Sequence, residues 1–197
     1  MNQLIDRREA LRKTALLMGA AVSASAMAGI LNGCKAAPDL NYKPVFFTEE
    51  QARLVSELAE MILPKTDTPG AKDVGVPNFI DKVLIQCYNK EDQDRFIAGL
   101  TAFDEESKMN YGDSFIYTKP EDQVTLIKKT LETAIAEKKE NPTAKRPFIL
   151  MAKELTMLGY FSSETGATKV LQYEPVPGSY KGCIPLSEAG NGKTWAT

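Results

Sequence analysis

The sequence predicts an all-α fold: a single small domain of about five or six helices with a long irregular C-terminal tail, preceded by a signal peptide. Apolar residues recur at helical spacing between residues 49 and 171. No stretch shows sustained alternation, and no Asn-Gly or Asp-Gly turn joins two apolar runs. With 197 residues, 43% of them hydrophobic, the chain can bury one core once a targeting segment is removed.

The first two helices flank a loop rich in proline and glycine. Thr48 and Gln51 have the spacing of a capping box, which predicts a first helix over about 49–63. The next segment, 64–77, holds three prolines and two glycines, so it is predicted to be an ordered loop. Pro77 suits the first turn of a second helix.

The third and fourth helices have start signals of their own. Asn89 is predicted to cap a third helix with an apolar stripe at Phe96, Leu100 and Phe103, ending before Gly112. Thr118 begins a second predicted capping box, which opens a fourth helix.

The last predicted helices lead into the tail. A fifth helix, from about 147 to 160, is apolar on most sides and is predicted to be central and buried. Ser162 is predicted to cap a short final helix through Leu171. Beyond Leu171, frequent Pro and Gly exclude regular structure. A tail this long without its own core is expected to pack over the domain or onto a partner.

The first 34 residues have the features of an export signal. Arg7 and Arg8 begin a basic stretch, and an uncharged run follows over 14–31, as in a signal peptide. The arginine pair resembles the twin-arginine signature, although Asp6 and Ala10 depart from its usual form. These features predict export to the periplasm in the folded state. The alternative is a transmembrane helix over 14–31.

A cysteine stands directly after the apolar run. Residues 31–34, Leu-Asn-Gly-Cys, resemble a lipobox, which predicts a lipid on Cys34 and a membrane anchor there. The predicted organisation is therefore a signal peptide over 1–34, a flexible tether over 35–45 and a helical domain over 46–197. Cys87 and Cys183 then remain, and two alternatives are open: a disulfide in an oxidising compartment, or two separate buried thiols.

Composition excludes several kinds of chemistry. The chain has 24 basic and 26 acidic residues, a net charge of −2, so nucleic acid is not an expected partner. It contains no histidine, which removes the commonest general base and transition-metal ligand. No dinucleotide, haem or phosphate-binding motif is present. The acidic pairs at 92/94 and 105/106 fall on expected exposed helix faces. No catalytic, cofactor or metal residue is predicted.

Four segments carry a family resemblance. Residues 62–71 read ILPKTDTPGA and residues 74–81 read VGVPNFID. Residues 158–166 read LGYFSSETG and residues 173–180 read YEPVPGSY. Together they resemble the gluconate 2-dehydrogenase subunit 3 family, over roughly residues 45–185.

The resemblance implies an accessory role in a periplasmic dehydrogenase. Such a small subunit would export and stabilise a large subunit of the glucose-methanol-choline type that carries FAD, with a c-type cytochrome as a common electron acceptor. The lipobox departs from many members and adds anchoring. The twin-arginine route transports folded proteins, as a flavoprotein loaded in the cytoplasm requires. The expected partner interface comprises Thr66, Asp67, Thr68, Pro69, Gly70, Tyr173, Pro175, Pro177 and Tyr180.

Two other functions remain open from the sequence. A free-standing periplasmic lipoprotein would bind a small ligand or an envelope component through the aromatic tail. A third and weaker alternative is an enzyme that acts alone through carboxylates.

Overall fold

The structure is a computed structural model that describes residues 38–176, 178, 182–188 and 192–196. Within these residues the chain forms helices and no β-strand, so the all-α prediction is confirmed for them. The elements are α1 (Glu49–Ile62), α2 (Val76–Cys87), α3 (Lys90–Tyr111), a 3-10 turn (Phe115–Tyr117), α4 (Pro120–Glu140), α5 (Phe148–Ser162) and a π-helix (Gly166–Val170).

Helix α5 lies at the centre and packs against each of the other four α-helices. Its buried side chains are mostly apolar. The ring of Phe148 meets that of Phe96 on α3 edge to face, with centroids 5.0 Å apart. The close approach of α3 needs a glycine, since a Cβ at Gly99 would lie 2.2 Å from the Cβ of Phe148. The prediction of a central fifth helix is correct.

Three local end signals form as the sequence predicts. Thr48 caps α1, and Gln51 completes the capping box through its side chain. The side chain of Asn89 accepts the Asp92 N–H at 2.9 Å and caps α3. At the other end of α3, Gly112 adopts φ 79°, the left-handed conformation that glycine tolerates best.

Two predicted caps are wrong because each hydroxyl donates to a backbone carbonyl four residues earlier in the chain. The N-cap of α4 is Lys119, without a side-chain hydrogen bond, because Thr118 donates to the Ser114 carbonyl at 3.1 Å. Ser162 belongs to α5 and donates to the Leu158 carbonyl at 2.6 Å. The next residue, Ser163, instead accepts the N–H of Gly166 at 3.0 Å.

The chain before α1 is part of the domain. Residues 38–45, which the sequence analysis assigned to a flexible tether, lie along α1 and α2. Leu40 and Tyr42 pack against the core. Arg53 of α1 donates from Nε to the Pro38 carbonyl at 3.1 Å. Pro38 therefore already belongs to the folded unit.

Candidate functional site

The loop between α1 and α2 is held by one carboxylate. Glu60 accepts the Lys65 N–H at 3.1 Å with Oε1 and the Lys72 N–H at 2.9 Å with Oε2. Gly70 lies against this carboxylate, and a Cβ there would come within 2.2 Å of Oε1. The motif glycine is therefore explained by packing.

Further contacts close the loop from the other side. The Tyr160 hydroxyl of α5 donates to the Pro69 carbonyl at 2.7 Å. Asp73 accepts the Gly70 N–H at 3.2 Å and pairs with Lys65 at 3.0 Å. The hydrogen bond from Lys65, and then that from Gly70, lowers the pKa of Asp73. The polar groups of this loop are thus largely engaged with each other.

The five predicted interface residues of the loop differ in accessibility. Thr66 and Asp67 are exposed at its tip, where the Thr66 N–H donates to the Thr68 carbonyl at 2.9 Å. Thr68 and Pro69 are half-buried, and Gly70 is buried. Of these five residues, Thr66 and Asp67 are therefore the two most accessible to another molecule.

The first residues of the tail are hydrogen-bonded to its last described residues. The Gln172 N–H donates to the Thr194 carbonyl at 2.8 Å, and the Ala196 N–H donates to the Gln172 carbonyl at 2.8 Å. Of the predicted interface residues in the tail, Tyr173 and Pro175 are exposed, while Pro177 and Tyr180 lie outside the described residues. Large apolar side chains of the tail are also exposed, namely Tyr173, Val176, Leu186 and Trp195.

An apolar surface on α5 was not expected from the sequence. A groove of about 500 Å³ runs along the outer side of α5 and reaches Leu171, at the base of the tail. Met157 and Leu158 are 42% and 54% exposed there. Five apolar residues line it, and we call them the α5 stripe: Leu150, Met157, Leu158, Phe161 and Leu171. The prediction that this central helix is buried was wrong on this face.

Two buried carboxylates were also not expected from the sequence. Asp81 is fully buried and accepts the backbone N–H groups of residues 45–47, at 2.8–3.1 Å. Asp104 accepts the Phe115 N–H at 2.9 Å and the Ser114 hydroxyl at 2.6 Å, and it pairs with Lys108. No sequence signal marks these two among the many acidic residues. Both are engaged in holding loops onto helices.

The acidic pairs on helix faces form surface ion pairs. Asp92 pairs with Arg95, and Glu106 on α3 pairs with Lys129 on α4 at 2.7 Å. The hydrogen bond that Lys129 donates to Glu106 raises the pKa of Lys129. These contacts agree with a solvated role for the predicted carboxylates.

Other kinds of site are absent from the described part of the chain. It contains no group of three or more Cys, Asp or Glu residues that could hold a metal ion. No helix in it is long and apolar enough to cross a membrane. Cys87 and Cys183 are both free and exposed, so the structure contains neither their disulfide nor the buried thiols of the alternative. Arg7, Arg8 and Cys34 lie outside the described residues.

A comparison with protein-family models shows which family this chain belongs to. The model for gluconate 2-dehydrogenase subunit 3 matches residues 49–178, about two thirds of the sequence. The chain belongs to the gluconate 2-dehydrogenase subunit 3 family. No curated protein and no solved structure gives a significant match. The loop after α1, the α5 stripe and the start of the tail all lie within the matched region of this dehydrogenase subunit.

Proposed function

We propose that this chain is a non-catalytic small subunit that exports, anchors and stabilises a FAD-dependent sugar or polyol dehydrogenase of the glucose-methanol-choline type in the periplasm. The family name implies that this chain functions in a complex with a larger dehydrogenase subunit. A c-type cytochrome is the proposed electron acceptor of the complex. The FAD belongs to the large subunit.

The uncovered apolar surface of α5 and the tail is the observation that carries this proposal. A stable subunit interface is apolar at its centre and buries on the order of 2,000 Å² or more. The α5 stripe reaches the base of the tail at Leu171, and the next residue, Gln172, forms an isolated bridge with the exposed Trp195. We propose this continuous surface as the main contact with the large subunit, with the exposed tip at Thr66 and Asp67 as a secondary one.

The buried carboxylates support a structural role for this chain. A general acid or base must be within hydrogen-bonding distance of a substrate. Asp81 and Asp104 are instead occupied by backbone N–H groups of neighbouring loops. The proposed contribution of the chain is therefore binding and support.

Export and anchoring rest on the sequence alone. In the proposal, Arg7 and Arg8 direct the subunit and its flavin-loaded partner through the twin-arginine route. Lipid on Cys34 then holds the complex at the membrane. A Lys-Lys replacement of the arginine pair should leave both subunits in the cytoplasm, which fractionation would detect.

The interface is tested by placing charge on the stripe. Leu158→Glu should weaken binding of the large subunit by about 2 kcal/mol or more, roughly 30-fold, because a buried centre tolerates no unpaired charge. Ile135→Glu is the matched control, since Ile135 is 53% exposed on α4. Co-purification from native membranes and the flavin absorbance of the eluate are the measurements.

Deleting residues 172–197 should also release the large subunit. Equal recovery of flavoprotein with the wild type and both variants would contradict the proposed interface. Wild-type protein that emerges colourless and without a partner would favour the free-standing lipoprotein.

A further inference from the structure

The segment in front of α1 is fixed by a buried carboxylate. Asp81 on α2 accepts the N–H groups of Val45 at 2.8 Å, Phe46 at 3.1 Å and Phe47 at 2.9 Å. The Phe47 side chain is itself part of the core. Removing the carboxylate would leave three N–H groups without their acceptor, so this attachment is strong.

The attachment continues outward to Pro38. Tyr42 packs against the core and its hydroxyl is enclosed. Arg53 then holds the Pro38 carbonyl, and the Arg53 guanidinium is itself paired with Glu49 at 3.2 Å. The chain is therefore bound to the domain along its whole length from Pro38 to α1.

This attachment shortens the connection to the proposed lipid. Only residues 35–37 stand between Cys34 and Pro38, and four steps of extended chain span about 14 Å. If residues 35–47 were all free, the extended chain would reach about 45 Å. The fold thus removes most of the reach that the sequence allows.

Much of the distance of about 14 Å between Cys34 and Pro38 is taken up by the headgroup region of the bilayer. The headgroup region on each side of the hydrocarbon core is roughly 5–7 Å thick. Less than about 10 Å then remains between Pro38 and the headgroups, which is narrower than an α-helix with its side chains.

We propose that the surface formed by residues 38–43 lies directly against the phospholipid headgroups of the anchoring membrane. This inference rests on the proposed acylation of Cys34. The two exposed charged residues of the surface formed by residues 38–43 are Asp39 and Lys43, which are opposite in sign. The short anchor, rather than electrostatic attraction, therefore holds the surface in place. The large subunit must then bind elsewhere on the domain, as it would at the α5 stripe.

The test measures access to Asn41, which is exposed in the structure. Asn41→Cys is made in the full chain with Cys87→Ser and Cys183→Ser, and it is produced together with the large subunit. Native membranes are treated with a bulky maleimide-polyethylene glycol. A matched chain carries Glu132→Cys, an exposed position on α4. Both are repeated with a Gly-Ser linker of about ten residues between Ala37 and Pro38, which adds roughly 17 Å of average reach.

Labelling at position 41 should be at least about tenfold slower in membranes than in detergent, because the gap is narrower than the reagent. The linker should restore fast labelling at 41 and leave position 132 unchanged. Fast labelling at 41 with the native connection would overturn the inference. Protection that persists with the linker would also overturn it, because protein rather than lipid would then cover Asn41.

Failure of the anchor itself is detected separately. Cys34→Ser should move the subunit from the membrane to the soluble fraction. If it stays in the membrane, the proposed acylation is wrong and the inference is overturned with it. If it is released while position 41 labels fast on the acylated chain, only the inference is overturned.

Discussion

Two irregular segments of this subunit have similar compositions but differ in how they contact the helical domain. The loop over 63–75 and the tail after Leu171 are both rich in Pro and Gly. The loop is held by Glu60 on one side and Tyr160 on the other. The tail is joined to itself at Gln172, and four large apolar side chains in its described part are exposed. Similar composition thus gives one segment that completes the fold and one that offers apolar surface.

The largest expected effect is a loss of stability when a contact that holds the loop is removed, compared with deletion of the tail. Glu60→Ala leaves the N–H groups of Lys65 and Lys72 without their acceptor, so the free energy of unfolding should fall by about 2–3 kcal/mol. For a chain of this size the melting temperature should fall by roughly 5–10 °C. Denaturant and thermal unfolding of the mature chain are the measurements.

Deleting residues 172–197 should cost less stability than Glu60→Ala, because no described tail residue is buried. Glu132→Ala, at an exposed position on α4, is the control and should stay within about 0.5 kcal/mol of the wild type. A larger loss from the tail deletion would show that the tail stabilises the domain.

A smaller effect is expected from a single hydroxyl in each segment. Tyr160→Phe removes the hydrogen bond to the Pro69 carbonyl and should lower the free energy of unfolding by about 1 kcal/mol. Tyr173→Phe, at an exposed tail position, should change it by less than about 0.5 kcal/mol. Equal effects of the two substitutions on denaturant unfolding would argue against the comparison.

The smallest expected effect is acid sensitivity of the loop. Lys65 and the Gly70 N–H lower the pKa of Asp73 below its ordinary value of 3.8. The folded loop therefore favours ionised Asp73, and this contribution is complete above pH 3.8 and is lost as the pH falls through the lowered pKa. The Asp73→Asn variant should have a slightly lower unfolding midpoint than the wild type at pH 7. In acid, where Asp73 of the wild type is protonated, the two midpoints should coincide. A constant difference across that range would exclude Asp73 as the titrating group.

Much of the helical framework was predictable because its signals are local. Thr48, Asn89 and Gly112 act within one turn of their own helix ends, so their roles follow from neighbouring residues. The caps predicted at Thr118 and Ser162 do not form, because their hydroxyls donate to backbone carbonyls instead. Both carbonyls lie only four residues earlier, and the residue types alone do not show whether a hydroxyl donates to such a carbonyl or accepts an N–H group at a helix start.

The candidate interface was only partly predictable. The loop and the tail were identified from composition and family motifs, but the α5 stripe was not. A helix that is apolar on most sides does not reveal which face its neighbours cover. Met157 and Leu158 are exposed because the other helices pack on the remaining faces of α5.

The sequence by itself determined the helix order, the absence of histidine, the family motifs and the position of Cys34 relative to the domain. Only the tertiary structure decided that Asp81 binds the chain at 45–47, that Tyr160 closes the loop at Pro69, and that one face of α5 stays open. The physical reason is sequence separation. A cap or a turn involves residues within one helical turn of each other, whereas these contacts join residues more than thirty positions apart and depend on how the helices pack.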